Sequence, residues 1–299
     1  MDSTLKENVP HGTPQKPMAA MHFQVPAGSA CPDHFFVRRH WHDNVEMIKI
    51  LRGTFKVEID LEEDFLEPGD ICIVGGGKLH QLRGFTPGSI HDVFLFHPGL
   101  LSFAYNDGFQ EEVLAPWLEQ KLCFPQVIRK NSAEYKFYGR YVSELIDLGL
   151  EAGEDWYFRC KMKLLDFLYQ GWKGGYLLKK AGSPLSPGER EMIDRYKRTV
   201  SFIEEHFSKK LTLDDIAGAA RCSSPYLCRF FKNMSGYSPV EYLIFYRVHQ
   251  AAAMLEETTK NILEISMDCG FDNTSYFIRK FRQIMGMTPG QYRKTGRVK

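Results

Sequence analysis

The sequence contains 299 residues, 43% of them hydrophobic and 25% charged, which is typical of a soluble globular protein and leaves room for two domains. No stretch reaches the roughly 18 consecutive apolar residues of a membrane span, and the first residues lack the apolar core of a secretory signal, so we expect a cytoplasmic protein with no membrane partner. The net charge of +1 is uneven, because residues 186–299 contain 18 basic and 13 acidic side chains and carry +5, whereas the remainder carries −4 and would attract a polyanion less.

Residues 20 to about 100 consist of short apolar runs that end at glycine and proline. Runs at 46–51, 55–59, 71–74 and 93–96 predict strands, and many short strands with frequent turns favour a barrel or a sandwich. Further along the chain, apolar residues at three-to-four spacing predict helices over 133–150 and 156–172. The apolar faces of these helices need a partner, either the strands or a second copy of the chain.

The segment 173–188 is rich in glycine, proline and serine, which predicts a linker and a domain boundary near residue 185. The seven cysteines are odd in number and widely scattered, and no two of them form a Cys-x-x-Cys pair. We therefore expect reduced thiols that act as small core residues, rather than a disulfide frame or a zinc site.

The C-terminal part contains an internal repeat, in which the segment 225–242 reappears at 274–292 with an offset of 50 residues. So many matches at one offset, a glycine and a proline among them, indicate two copies of one supersecondary unit. The aligned pairs are Tyr226 and Tyr276, Arg229 and Arg279, Phe231 and Phe281, Lys232 and Arg282, Gly236 and Gly286, Pro239 and Pro289, and Tyr242 and Tyr292.

Each copy has the sequence signals of two helices that are joined by a tight turn. Capping residues precede each apolar run, a proline takes the first helical position in one copy, and a glycine permits the turn in the other. These signals are Thr212 with Asp215 and Ser224 with Pro225 in the first copy, and Asn261 with Glu264, Gly270 and Asn273 in the second.

One long helix is predicted between the two copies. Ser238 and Glu241 form a capping box, and apolar residues continue to Leu255, so the helix has about 19 residues and is nearly 30 Å long at ~1.5 Å per residue. If it spaces two DNA-reading helices, they lie close to the ~34 Å of one DNA turn and enter successive major grooves.

Residues 189–294 resemble the DNA-binding domain of the AraC/XylS family of transcription regulators. The resemblance implies a DNA-binding regulator and favours an activator over a repressor. The partners that it implies are double-stranded DNA, RNA polymerase and a second copy of the chain. Small departures are Arg282, where lysine is usual, and Met267-Asp268, where small residues are common. The resemblance is carried by Ile216-Ala217, Tyr226-Leu227, Arg229, Phe231-Lys232, Arg247, Ala251, Leu255, Ile265, Gly270-Phe271, Ser275-Tyr276-Phe277, Arg279, Phe281, Gly286, Thr288-Pro289 and Tyr292-Arg293.

In the first recognition helix we expect Tyr226 and Phe230 or Phe231 to face the core. In the second we expect the same of their counterparts Phe277 and Phe281. The outer face would then meet DNA, with the arginines able to bind guanine O6 and N7 and the remaining basic residues more suited to phosphate. The predicted DNA-binding residues are Ser224, Pro225, Cys228, Arg229, Lys232, Asn273, Thr274, Ser275, Arg279, Lys280 and Arg282.

The strand-rich part resembles a cupin barrel, because His40-Trp-His42 with Glu46, and then Gly53, Gly69 and His80, follow the two cupin motifs. Gly75 and Gly84 depart from the proline and asparagine that are usual in the second motif. In regulators of this architecture the resemblance implies a sensor in which His40, Trp41, His42, Glu46 and His80 line a pocket for a small polar effector such as a carbohydrate, without a cofactor.

Three other interpretations stay open. The three histidines and the carboxylate form an N/O donor set that suits iron, manganese or nickel, so the barrel can hold a divalent metal. A metal-dependent cupin enzyme with a DNA-binding appendage is the alternative from another functional class. A DNA-binding protein without sequence preference is disfavoured, because a charge of +5 is small for that task.

The predicted fold class is a multidomain α+β protein, with a cupin-like β-barrel and accessory helices followed by an all-α domain that contains two helix-turn-helix motifs. The predicted divisions are an N-terminal arm at 1–19, a sensor and dimerisation domain at 20–172, the linker at 173–188 and the DNA-binding domain at 189–299.

Overall fold

The computed structural model describes residues 5–6, 12–25, 35–179 and 185–296 of the chain. Parts of the predicted arm and linker, and the whole of Cys31, lie outside these residues. The chain divides into two compact units, Met1–Glu189 and Arg190–Lys299. The six cysteines within the described residues are free thiols, and no helix among these residues has both the length and the hydropathy that a membrane span requires.

The first unit is built on two antiparallel sheets. A five-stranded sheet has the order β1-β8-β3-β6-β10, and a four-stranded sheet has the order β2-β7-β4-β5; the short strands β9 and β11 pair separately. The strands are β1 (Met18–Gln24), β2 (Phe35–His40), β3 (Val45–Arg52), β4 (Phe55–Ile59), β5 (Glu62–Leu66), β6 (Ile71–Val74), β7 (His80–Gly84), β8 (Ile90–Phe96), β9 (Leu122–Cys123), β10 (Val127–Ile128) and β11 (Leu178–Lys179).

Alternation along the strands builds two cores, one on each face of the five-stranded sheet. In β3, Ile48 and Ile50 belong to a cluster that also contains Phe55 and Val57 of the four-stranded sheet, so the two sheets pack face to face. Met47 belongs to the opposite face, where the sheet packs against helices. The strand-rich part of the sequence was therefore predicted correctly.

The helices of the first unit follow the strands and cover the outer face of the five-stranded sheet. Two long ones, α2 and α3, confirm the helices that the sequence predicts at 133–150 and 156–172. A short 3-10 helix (Pro98–Leu101) and a π-helix (Gln110–Leu114) precede α1 (Ala115–Leu118), α2 (Tyr135–Glu151) and α3 (Trp156–Lys173).

The second unit is helical. Five of its helices were predicted from capping signals, whereas the first and the last, α4 and α10, were not assigned from the sequence. The helices are α4 (Pro187–His206), α5 (Leu213–Ala219), α6 (Ser224–Ser235), α7 (Pro239–Glu257), α8 (Ile262–Asp268), α9 (Thr274–Met285) and α10 (Pro289–Gly296).

The predicted caps are present, with one shift. Capping boxes begin α5, α7 and α8 at Thr212, Ser238 and Asn261, and the Asn273 side chain accepts a hydrogen bond from the Tyr276 amide at the start of α9. Helix α6 begins one residue earlier than predicted, with Ser223 as its N-cap, so Pro225 is not the first helical residue.

The two repeat copies share their packing as well as their sequence. Helices α6 and α9 both end at a glycine in the left-handed region, where φ is 80° at Gly236 and 75° at Gly286. The ring of Phe231 lies 5.9 Å from that of Tyr242, and the ring of Phe281 lies 5.6 Å from that of Tyr292. The internal repeat is therefore a structural repeat of two helix-turn-helix units.

Arg247 of α7 contacts the residues that follow α4, close to the turn of the second helix-turn-helix copy. Its Nε donates to the carbonyl of Phe207 at 2.7 Å and its Nη2 donates to the carbonyl of Lys209 at 2.8 Å. Gly270, with φ of 76°, packs against the same place, because a Cβ added there would lie 2.6 Å from the Phe207 carbonyl oxygen. Only glycine fits both this backbone angle and this contact.

We expect Gly270→Ala to lower the free energy of unfolding of the second unit by more than about 3 kcal/mol, because it combines left-handed strain with a backbone clash. Gly286→Ala is the matched control: φ is nearly the same, but no described atom lies within 4 Å of the added methyl, so we expect a loss of about 1 kcal/mol. Urea denaturation of the full chain measures both. Equal losses would contradict the clash.

Candidate functional site

The outer faces of the recognition helices α6 and α9 form the first candidate site. Each helix buries one side, with Leu227, Phe230 and Phe231 in α6 and Phe277 and Phe281 in α9. The opposite sides present basic and small residues to solvent, as the repeat predicts. The exposed positions are Pro225, Arg229 and Lys232 in α6 and Ser275, Arg279 and Arg282 in α9, with Cys228 and Lys280 half-buried beside them.

Tyr226 was expected to face the core, and this expectation is wrong. Its side chain is 41% exposed, because Leu227 occupies the core position next to it. Arg195 of α4 lies over the Tyr226 ring at 5.5 Å, and its Nη1 donates to the Tyr226 hydroxyl at 3.3 Å. Tyr226 therefore belongs to the exposed surface, next to the predicted DNA-binding residues.

Three of the predicted DNA-binding residues use their side-chain oxygens in contacts within the domain. The Ser224 hydroxyl donates to the Asp214 carboxylate, the Thr274 hydroxyl lies 3.1 Å from that of Ser266, and Asn273 caps α9 with its side-chain oxygen. These contacts fix the starts of the recognition helices. The arginines and lysines of the outer faces are better suited to bind DNA, because their charge attracts phosphate and their exposed ends can reach bases.

A buried histidine cluster between the ends of the two sheets forms the second candidate site. His40 ends β2, His42 follows it, and His80 begins β7, directly opposite His40 in the strand pairing. The three side chains are at most 9% exposed, and one ring nitrogen of each lies within 4.8 Å of the others. The structure thus brings together the three histidines that the cupin resemblance selects.

Backbone carbonyls orient all three rings in the same way. The Nδ1 atoms of His40, His42 and His80 lie 2.8, 3.0 and 2.8 Å from the carbonyl oxygens of Arg38, Asn44 and Lys78. A carbonyl oxygen only accepts, so Nδ1 carries the proton and, in a neutral ring, Nε2 keeps its lone pair. This is the arrangement in which a histidine binds a metal ion through Nε2.

Glu46 of β3 completes the cluster. Its Oε2 lies 3.1 Å from Nε2 of His80 and 3.5 Å from Nε2 of His42. Burial raises the pKa of this carboxyl, but its contacts with His42 and His80 outweigh that and hold the pKa well below its usual range. Burial and the charge of His40 lower the pKa of His80. A carboxylate gathered with three imidazoles is an N/O donor set that fits a divalent cation.

Trp41 and His91 are two further buried residues of the first unit. Trp41, predicted to bind an effector, is 6% exposed, and its backbone amide donates to the carbonyl of Leu5 at 3.3 Å. His91 of β8 was not selected from the sequence. It stacks on Phe23 at 5.0 Å and meets Phe55 edge-on at 4.9 Å, and burial lowers its pKa to about 4. Its alternation with Val93 and Leu95 was the signal that this histidine faces inward.

Comparison with known proteins matches both units. A helix-turn-helix domain model matches residues 216–295. An uncharacterized HTH-type transcriptional regulator of Bacillus subtilis, YdeC, is 26% identical over 98% of this chain and 97% of its own. The melibiose operon regulatory protein of Escherichia coli is 23% identical over 87% of this chain and 85% of its own. The TetD protein of transposon Tn10 from Escherichia coli is 36% identical over 33% of this chain and 71% of its own.

Proposed function

The chain belongs to the AraC/XylS family of transcription regulators, and we propose that it activates transcription when a small polar molecule binds between its N-terminal sheets. The observation that carries this proposal is the repeated helix-turn-helix unit with two basic outer faces. The helix-turn-helix domain of this family, which matches residues 216–295 of this chain, binds DNA. We propose double-stranded DNA and RNA polymerase as its partners and the cytoplasm as its location.

The length of α7 supports sequence-specific reading by two helices of one chain. This helix has 19 residues, about 28 Å at 1.5 Å per residue, and separates the two recognition helices along the chain. We propose that α6 and α9 enter successive major grooves about 34 Å apart. In that arrangement Arg229 and Arg279 contact bases, and Lys232, Lys280 and Arg282 contact phosphates.

The effector site is proposed at the cluster of His40, His42, Glu46 and His80, with Trp41 as a neighbour. Buried polar groups in an otherwise apolar interior suit a ligand that forms several hydrogen bonds. A relative is named for the melibiose operon, so a carbohydrate is our first choice of ligand. The effector changes DNA binding only to the extent that it binds the two states of the protein with different affinity.

The shared orientation of the histidine rings favours a second candidate, in which the same cluster holds a divalent cation. Two ligands at right angles on one metal, each about 2.1 Å from it, stand about 3 Å apart, and His80 Nε2 and Glu46 Oε2 are 3.1 Å apart. Such a cation would act as a Lewis acid toward the hydroxyl groups of a polar ligand. A metal-dependent enzyme with a DNA-binding appendage stays the alternative, and turnover that a chelator abolishes would support it.

The exposed side of α3 supports a homodimer. Phe158, Met162, Leu165, Tyr169 and Trp172 follow one another at intervals of 4, 3, 4 and 3 residues, the pattern of a coiled-coil seam. Phe158 and Met162 are 66% and 61% exposed. Leu165 packs partly against the core of the first unit, whereas the other four side chains of the seam are exposed. We propose that two copies of α3 pack along this seam, because its exposed apolar side chains need a partner.

We expect Arg279→Ala to weaken binding to a selected operator by about 1–3 kcal/mol and to relax the preference at one base pair. Lys232→Ala should weaken binding to all DNA sequences by a similar factor. It should also reduce the slope of log affinity against log salt concentration by the equivalent of about one phosphate contact. Fluorescence anisotropy with full-length protein, on a site selected from random DNA and on unrelated DNA, at two salt concentrations, measures both effects.

The control for these two variants is Lys136→Ala, which removes an exposed lysine of the first unit and should leave both affinities unchanged. If Arg279→Ala and Lys232→Ala reduce binding to the two DNAs by the same factor, the assigned roles are wrong. If no sequence is enriched in the selection, sequence-specific regulation itself is wrong.

We expect protein stripped with a chelator to take up about one Mn²⁺, Fe²⁺ or Ni²⁺ per chain. The melting temperature should rise by roughly 5–10 °C when the free metal is at 100 times its dissociation constant. Elemental analysis and thermal denaturation measure the two effects. Glu46→Gln and His80→Gln should each lower the affinity for the metal at least tenfold.

His206→Gln is the matched control for metal binding. The Nδ1 of His206 also lies near a backbone carbonyl, that of Phe202 at 3.0 Å, but this histidine lies outside the cluster. A metal that binds equally well to Glu46→Gln and to the original chain would rule out the cluster as its site.

We expect Met162→Glu to convert the dimer into a monomer, since it places a charge in the apolar seam of α3. Sedimentation velocity of the full chain at micromolar concentration measures the mass. Met267→Glu is the control, because Met267 is 64% exposed, close to the 61% of Met162, and belongs to a different helix, α8. A dimer that survives Met162→Glu, or one that Met267→Glu also dissociates, would contradict the seam.

A further inference from the structure

A cavity of about 590 Å³ lies on the other face of the five-stranded sheet from the histidine cluster. Val45 and Ile73 line it, and both belong to the core on the helix-covered face. Glu46 follows Val45 in β3 and therefore points to the opposite face. The cavity and the histidine cluster are separate sites, although the segments that carry His42 and His80 also border the cavity.

The walls of this cavity are mostly apolar and aromatic. Trp117 of α1 and Phe124 line it, are 6% and 7% exposed, and place their rings 6.4 Å apart in an edge-on arrangement. Pro98, Leu118 and Leu122 also contribute apolar lining. A cavity of this volume, with aromatic walls and few polar groups, has the properties of a site for a small organic molecule.

The polar side chains that border the cavity are those of Asp43, Lys78, Gln120 and Gln126. Lys78 pairs with the Asp60 carboxylate, so its charge is compensated. Asp43 is exposed and contributes a negative charge. Gln120, which has an unusual φ of 58°, donates from Nε2 to the carbonyl of Gly76 at 2.7 Å. A border of net negative charge disfavours an anionic ligand and favours a neutral one or an amine.

We propose that this cavity binds a flat, largely apolar organic molecule that is neutral or carries a single amine, and that this molecule is a second input to the regulator. A carbohydrate does not suit these walls, because its hydroxyl groups would lose hydrogen bonds to water without finding partners. The cavity and the histidine cluster thus select ligands of different chemistry.

The loop of residues 75–78 connects the cavity to the histidine cluster. The Gly77 amide donates to the carbonyl of His42 at 2.7 Å, and a Cβ on Gly76 would lie 2.4 Å from the carbonyl oxygen of Asp43. The backbones therefore pack directly on each other, and a displacement of one loop moves the other. A ligand that contacts this loop in the cavity biases the positions of His42 and His80.

Titration of the full-length protein with N-phenyl-1-naphthylamine tests the proposal. This fluorescent amine is neutral and aromatic, and it accepts excitation energy from nearby tryptophan such as Trp117. We expect saturable binding of about one dye per chain in the micromolar range. Gly75→Phe should weaken binding at least about tenfold, because Gly75 lines the cavity and an added Cβ there meets only Lys78 at 3.7 Å.

Three variants make the outcome decisive. Gly153→Phe adds the same side chain at an open position between α2 and α3 and should bind dye normally, and Leu118→Trp fills the cavity from its other wall and should weaken binding as Gly75→Phe does. Lys136→Ala, an exposed position outside the cavity lining, should retain the dye. Absence of saturable binding, full binding by both cavity-filling variants, or loss of binding in Lys136→Ala would overturn the proposal.

Discussion

The contact of Arg247 with the carbonyls of Phe207 and Lys209 holds the DNA-binding unit together. Arg247 lies in the middle of α7, the accepting carbonyls lie just after α4, and Gly270 of the second turn packs on the same carbonyl of Phe207. Burial lowers the pKa of the Arg247 guanidinium, yet it keeps its charge because no side chain is more basic. One partly buried cation therefore joins the segment after α4 to α7, beside the glycine of the second turn.

The sequence predicted this unit well where single residues determine the backbone. Capping residues at Thr212, Ser238 and Asn261 begin helices at the expected places because a side-chain oxygen there satisfies an amide that the helix leaves open. Helix α4 was not assigned although Ser186 and Glu189 form a capping box at its start, because the glycine, proline and serine before it were interpreted as a linker that extends to residue 188. Tyr226 was placed on the wrong face, although the offset of 50 residues aligns Leu227, and not Tyr226, with the buried Phe277 and so indicates Leu227 for the core position.

The histidine cluster shows a different limit. The motif selects His40, His42, Glu46 and His80 by their spacing, and the structure gathers them. The sequence does not reveal that all three rings turn Nδ1 toward a carbonyl, because that depends on the curvature of the backbone at Arg38, Asn44 and Lys78. His91 was missed for a similar reason: a single histidine in a strand gains meaning only when the opposite sheet closes over it.

The first unit brings two chemistries to one loop. On one face of the five-stranded sheet, the histidines and Glu46 offer hydrogen bonds and metal ligands in a buried polar site; on the other face, Trp117 and Phe124 offer an apolar cavity. Residues 75–78 connect the two by backbone contact, and glycines permit that contact. Coupling free energies of about 1–3 kcal/mol are usual between linked sites, and a shift of the loop that alters one hydrogen bond to His42 is of that size. Because residues 75–77 are glycines, this loop packs closely on its neighbour and makes the polar site responsive to the apolar one. The reverse also holds, because thermodynamic coupling is reciprocal.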